Sequence, residues 1–390
     1  MGTLLLLALY GLLSLLLAGI TARLSRRLPL AAGLVLTLLP LAFTAGGLLP
    51  GKVLAPTVSL AGNPPWCHPD LVQPIREGST PVNPLLMDPL SQMEPWREAS
   101  RRDLLFNPAA SSGAALLGNG QAAGLFPLEL LARLLPPVRA TTFLQAARLL
   151  VGVWGMFLLL RSLALPVLPS LLGSAAFLGS SFFQVWRLHT LTYVVALTPW
   201  ILFALRDLVR KPSARGALRL AVVGALGALA GHPETLLQSV FLGGLVTLPL
   251  GFRRGQAWGR TMRWGGVAAV LAGLLAAPSL LPFLENLRVS YEWQHRQAAL
   301  HQSVEAPLPE SLERLVPALD FLALGDPQAG TWTGPENLAE VGGSSLALAA
   351  LALIPAAFAG RRHRRAALGW LILGLVGLLV AAHFPWISRP

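Results

Sequence analysis

The chain is poor in charge and in cysteine, and each shortage removes a class of protein. Charged residues make up 12% of its 390 positions, about half the ~25% of soluble domains, which excludes an ordinary water-soluble globule. The single cysteine, Cys67, excludes an intramolecular disulfide and a thiolate metal cluster. Beside His68 it resembles half of a metal pair, but no further ligands stand at a fitting spacing, so no zinc site is expected. No P-loop and no G-x-G-x-x-G following a strand is present, which argues against ATP-driven or dinucleotide chemistry. An internal repeat of the transporter kind is missing as well. A net charge of +12 points toward nucleic acid. The basic residues stand instead in short clusters between apolar runs and form no basic face, so no nucleic-acid partner is expected.

What the chain has in plenty is hydrocarbon, at 54% hydrophobic residues and a mean hydropathy of +0.60. Apolar runs approaching the ~20 residues that cross a bilayer lie at about 3–20, 29–49, 143–161, 166–183, 190–205, 216–231, 234–251, 264–284, 343–360 and 366–383. The expected fold is therefore all-α: a polytopic integral membrane protein with about ten transmembrane helices. Five regions follow from the spacing of the runs: two helices in 1–49, a long loop in 50–142, a six-helix core in 143–284, a second loop in 285–342 and two helices in 343–390. The first run has no basic flank before it, and Arg23, Arg26 and Arg27 come after it, so an uncleaved span is expected rather than a signal peptide.

Charge orients the expected spans. Alternate connections carry sixteen Lys and Arg residues, from Arg23 to Arg365, with Asp207 the one acid among them. The opposite segments hold nearly all other carboxylates, seven in 50–142 and nine in 285–342. An excess of Lys and Arg marks the cytoplasmic side, so both long loops and the turn at 231–234 are expected outside. Within the first loop, residues 126–135 place Leu128, Leu131, Leu134 and Leu135 on one helical face, with Glu129 and Arg133 at i,i+4. That pattern predicts a short helix lying in the outer interface.

The polar residues able to do chemistry are few. Asp88 precedes Pro89, and Gln92 and Trp96 follow at i+4 and i+8, which stacks the three if the piece is helical. A carboxylate there suits a general base or a metal ligand; by pattern alone it is equally a loop acid or a helix N-cap, with Asp70, Glu94 and Asp103 as alternatives. Asn107, Asn119 and Gln121 are turn formers first, and their amides also suit sugar hydroxyls. Arg187 and His189 lie in one expected outer turn, His232 and Glu234 in another. A cation at that depth can snorkel to headgroups or neutralise a lipid phosphate, and a histidine can donate to a phosphate or shuttle a proton. Arg148 is the other intramembrane charge, suited to a lipid-phosphate groove or to snorkelling.

Several of these motifs together resemble those of the bacterial YfhO-type membrane proteins. They are D-P-L-S-Q-M-E-P-W at 88–96, N-P at 107–108, G-N-G-Q at 118–121, F-P-L-E-L-L at 126–131 and H-T-L-T-Y-V-V-A-L-T-P-W at 189–200. G-H-P-E-T-L-L-Q at 231–238, L-L-P-F-L-E-N-L-R-V-S at 280–290 and P-E-N-L-A-E-V-G-G at 335–343 complete the set. That family is similar to type-C (GT-C) glycosyltransferases. The resemblance implies a GT-C-like fold in the bacterial cytoplasmic membrane and transfer of a sugar from a polyprenyl-phosphate carrier to an envelope glycan, lipid or protein at the outer face. It implies Asp88 as the acidic residue serving the acceptor or a divalent metal. On the same reading Gln92, Trp96, Asn107, Asn119, Gln121 and Glu234 bind substrate, while Arg187, His189 and His232 hold the lipid phosphate. The family pattern has one span before the loop and further spans at the end, whereas this chain has two and ends after the tenth, as expected of a short or truncated member. A lipid or solute transporter, or a non-catalytic envelope-assembly protein, are the competing expectations.

Overall fold

The computed structural model describes residues 2–25, 28–57, 88–110, 113–252 and 258–291, with a few helical positions between 368 and 376. The expected spans at 343–360 and 366–383, nearly all of the second loop, the motif at 335–343, and Cys67, His68 and Asp70 lie outside or almost wholly outside them. The chain forms two compact units. One comprises Met1–Ala55, Asp88–Leu178 and Arg187–Val289; the other comprises Pro56–Met87, Gly179–Trp186 and Ser290–Pro390.

The first unit is built almost entirely of helices, and the first eight expected spans each coincide with one. They are α1 (Gly2–Leu24), α2 (Leu30–Thr44, continued by a 3-10 turn at Ala45–Leu48), α5 (Pro137–Ser162), α6 (Val167–Leu178), α8 (Leu191–Arg210), α9 (Ala214–Leu229), α10 (Pro233–Phe252) and α11 (Trp258–Val289). Between α2 and α5 come α3 (Glu94–Arg102) and α4 (Pro127–Ala132); α7 (Ser181–Val185) belongs to the second unit. Among the described residues, five helices are long and apolar enough to cross a membrane: α1, α2 with its 3-10 turn, α5, α8 and α11. At 12 and 16 residues, α6 and α9 fall short of a perpendicular crossing. The run at 166–183 shortens because the chain leaves the helix at Gly179 and Ser180 and re-forms as α7.

Helix α5 is the centre. It packs against α1, α2 and α6 and against α8; α8 carries α9 and α10, and α9 pairs with α11. Of the apolar window of α5, 89% is buried, against 11% for α11, as expected of a helix apolar all round placed at a core and one left at the rim. Gly155 lets α5 and α8 meet: a Cβ there would strike the indole of Trp200, whose Nε1 donates to Val151 O at 2.9 Å. Outward leucines such as Leu4, Leu12, Leu30 and Leu274 are 65–80% exposed. In water each such side chain forgoes roughly 1.5–3 kcal/mol of burial, so this surface fits hydrocarbon. In α2 the hydroxyl of Thr44 donates to Pro40 O, an i−4 back-bond that satisfies the buried hydroxyl within its own helix.

Residues 88–110 and 113–136 fold over one end of this bundle. A π turn at Pro89–Met93 leads into α3, then a hairpin pairs Phe106 with Ala115 and Asn107 with Ala114, and a 3-10 turn at Gly120–Ala122 precedes α4. The helix expected over 126–135 is present but shorter. Helix α4 spans six residues and presents Leu128, Glu129 and Ala132 to the protein, while Leu130 and Leu134 are exposed. The Arg101 guanidinium donates to the carbonyls of Ala132, Arg133 and Leu135, satisfying the orphan acceptors that end the helix there.

Candidate active site

The most polar part of the interior lies where this loop meets the bundle. Arg97, on α3, is 6% exposed and lies against Glu129 of α4, 5% exposed, with Nε to Oε2 at 2.8 Å and Nη2 to Oε1 at 3.4 Å. Its Nη1 donates to Glu94 Oε2 at 2.6 Å, and Glu94 Oε1 accepts from Thr141 of α5 at 2.7 Å. The other side of Glu129 accepts from the Tyr193 hydroxyl of α8 at 2.6 Å. Tyr193 packs on Phe126, rings 4.8 Å apart, and carries the Arg148 guanidinium 4.0 Å over its face, a cation–π contact. Four helices are thereby joined through two carboxylates and one guanidinium.

Electrostatics keep the pair ionised. Burial would raise the carboxyl of Glu129, but the Arg97 charge and the bonds from Arg97 and Tyr193 hold it below the usual carboxylate range. Burial would likewise lower Arg97, and Glu129 and Glu94 raise it further above its ordinary value. A buried pair of this kind adds little net stability, yet removing one partner leaves an uncompensated charge and costs roughly 3–5 kcal/mol. Sequence reasoning missed this centre. Glu129 looked like the partner of Arg133, whose Nη2 donates instead to Gly124 O at 2.7 Å. The available signal was one acid inside the apolar F-P-L-E-L-L hexapeptide.

Arg148 is neither a snorkelling side chain nor a groove lining. It is 2% exposed, and its donors go to Leu144 O, Arg187 O, His189 O and Thr192 Oγ1, at 2.5–3.1 Å. It fixes the turn before α8 that carries Arg187 and His189. Arg187 is half-buried and donates to Phe43 O at 3.2 Å; burial and then the nearby Arg148 charge lower its pKa. His189 is buried, and the same two causes bring its pKa down to about 4.

The second expected turn is equally built. Thr235 donates its backbone N–H to His232 Nδ1 at 3.3 Å, and its hydroxyl lies 2.8 Å from the same nitrogen, so His232 caps α10. Burial, partly offset by Glu234, lowers the pKa of His232, and Glu234 is exposed. The G-N-G-Q turn lies against this one: a Cβ on Gly231, whose φ is +86°, would stand 2.8 Å from Gly120 O and 3.1 Å from the Cβ of Ala123. Asn119 Oδ1 accepts from Gln121 N at 2.9 Å, and Gln121 is exposed. On the other flank Asn286, near the end of α11, donates to Gly118 O at 3.2 Å. A cleft of about 370 Å³ opens there, lined by Leu105, Leu117, Gly118, Pro282, Glu285 and Asn286 among others.

Asp88 heads the helical segment leading into α3. It is half-buried, and Gln92 Nε2 donates to its Oδ1 at 3.1 Å, the i,i+4 pairing expected of a helix. Trp96 is half-buried one turn further on. Asn107 is buried, and its Oδ1 accepts from Ala109 N at 3.1 Å, a turn role. Among the described residues no three His, Cys, Asp or Glu side chains converge as a metal set. Gln92 supplies one amide beside Asp88, a poor match to the oxygen-rich shell of a divalent ion. The structure thus gathers the expected residues at one end of the bundle as three local groups: Asp88 with Gln92; Arg187 and His189 around Arg148; and His232 with the turn of Asn119 and Gln121.

No family model, curated protein or solved structure matches this chain. What the fold and the apolar helices define is a class: a mostly helical protein of membrane-spanning character.

Proposed function

We propose that this chain is a membrane glycosyltransferase of the GT-C type, transferring a sugar from a polyprenyl-phosphate carrier to an envelope acceptor at the outer face of a bacterial cytoplasmic membrane. One observation carries the reading. Motifs that resemble the YfhO-type pattern lie as far as 168 residues apart in sequence and contact one another at one end of the bundle. Glu129 of F-P-L-E-L-L bonds Tyr193 of the H-T-L-T-Y motif, Gly120 of G-N-G-Q lies against Gly231 of G-H-P-E, and Asn286 bonds Gly118.

In this reading an acceptor hydroxyl attacks the anomeric carbon of the donor. The bond from that carbon to the phosphate oxygen breaks, the electron pair leaves with the polyprenyl phosphate, and the proton passes to the Asp88 carboxylate. Arg187 supplies positive charge toward the departing phosphate. His189 and His232 are mainly neutral donors there, since burial lowers the pKa of both. Gln92, by bonding Asp88, orients the carboxylate. The test is transfer from a polyprenyl-phosphate sugar by the reconstituted protein. Asp88→Asn, which preserves shape and removes the base, is expected to lower kcat by about 10²–10⁴-fold; full activity in this variant removes Asp88 from the role. Translocation of the glycolipid without transfer would favour the flippase alternative instead.

A further inference from the structure

We infer that Glu129 is a positioning residue: a buried latch that holds the segment bearing Asp88 onto the helical bundle. The kinetic part of this rests on the transferase reading; the structural part does not. Asp88 sits at the head of a continuous helical segment, a π turn followed by α3, which ends at Arg102. That segment is fastened in its middle by Arg97 and Glu94, and near its end by Arg101, which outside its own helix reaches only the carbonyls that close α4 and not the bundle helices. Arg97 reaches Glu129 with two nitrogens and Glu94 with a third, Glu94 takes the Thr141 hydroxyl, and Glu129 takes the Tyr193 hydroxyl. Thr141 and Tyr193 belong to α5 and α8, the two most buried membrane-type helices of the bundle. Both carboxylates are thus shared between the loop and the rigid core. Glu129 is the member to which α3, α4 and α8 all answer: without its charge Arg97 has only Glu94 as a charged partner, and the Tyr193 hydroxyl keeps at most a weaker, neutral acceptor. The exposed contact of Gln92 with Asp88 fixes the carboxylate locally, but the latch fixes the whole helix. A reacting group must be held to within a fraction of an ångström of its productive place, and the latch is built for that.

The test uses the full chain with Cys67→Ser, in lipid nanodiscs. Nitroxide labels at Ser91→Cys, beside Asp88, and at Leu237→Cys, exposed on α10, report the distance between the segment and the bundle. A narrow distribution is expected, broadened by Glu129→Gln and by Tyr193→Phe. The second change keeps the ring over which Arg148 lies and removes one hydroxyl, so it reports even if Glu129→Gln fails to fold. In the transfer assay Tyr193→Phe is expected to lower kcat roughly tenfold at nearly constant KM. That loss is expected to vanish in an Asp88→Asn background, where there is no base left to place. Unchanged distance distributions in Tyr193→Phe overturn the latch, and so does a kcat loss that persists undiminished beside Asp88→Asn. Wild-type protein without transfer activity refutes the transferase reading alone, and the distance measurement then decides the latch.

Discussion

At the scale of single residues, the end of the bundle is organised by charges that stay and histidines that do not acquire one. His189 is 6% exposed, and burial with the Arg148 guanidinium nearby brings its pKa to about 4 from an ordinary 6.5. The unfolded chain therefore takes up its proton near pH 6.5 and the folded chain only near pH 4. The stability due to the neutral ring is complete above pH 6.5 and is lost as the pH falls from there toward 4. At about 1.4 kcal/mol per pH unit the loss amounts to roughly 3 kcal/mol over that window. His232 is shifted in the same direction. Glu129 is depressed from its ordinary 4.5, so its contribution is present above about pH 4.5 and fades only below it. Between pH 6.5 and 4.5 the histidines govern. The Tm of the purified protein is expected to fall from pH 7.5 to pH 5, and His189→Asn is expected to remove about half of that fall. Parallel curves for wild type and variant in a thermal melt would assign the acid sensitivity elsewhere.

At the scale of elements, glycine contacts set how the loop lies on the helices. Gly231 has φ +86°, and a Cβ there would stand within 3 Å of Gly120 O. Gly231→Ala therefore strains the backbone and pushes the G-N-G-Q turn away, at an expected cost of about 2 kcal/mol or more. Amide hydrogen exchange checks this: residues 118–124 are expected to exchange faster in the variant while the α5 core keeps its protection. The helices themselves were legible in the sequence because a bilayer demands long apolar runs, and those runs survive folding unchanged. Their ends were less legible. Helix α5 begins at Pro137, six residues before its apolar run, because Arg139 and Thr141 find partners in neighbouring segments. The site was legible only in part. The i,i+4 bond of Asp88 and Gln92 is local and was visible as spacing. The pairing of Arg97 with Glu129 spans 32 residues, and that of Glu129 with Tyr193 spans 64. Periodicity carries no information at such separations, so Glu129 read as a surface acid beside Arg133.

At the scale of the whole molecule, lipid and charge set how the protein is placed. The exposed leucines of α1, α2 and α11 call for hydrocarbon around the first unit. The polar end then lies at one boundary of that hydrocarbon, because the starts of α5, α8 and α10 and the ends of α2 and α11 all meet the loop there. The opposite end holds Arg161, bonded to Leu165 O, and the pair of Arg219 and Asp207 at 2.6 Å. On the proposed reading the loop lies outside, since cytoplasmic connections keep an excess of Lys and Arg. In a Cys67→Ser background, Ser91→Cys in the loop and Ala214→Cys at the start of α9 are both exposed positions at opposite ends. A membrane-impermeant maleimide added to intact cells is expected to label the first and to reach the second only after permeabilisation. The reverse pattern would place Asp88 in the cytoplasm. That result would refute transfer at the outer face.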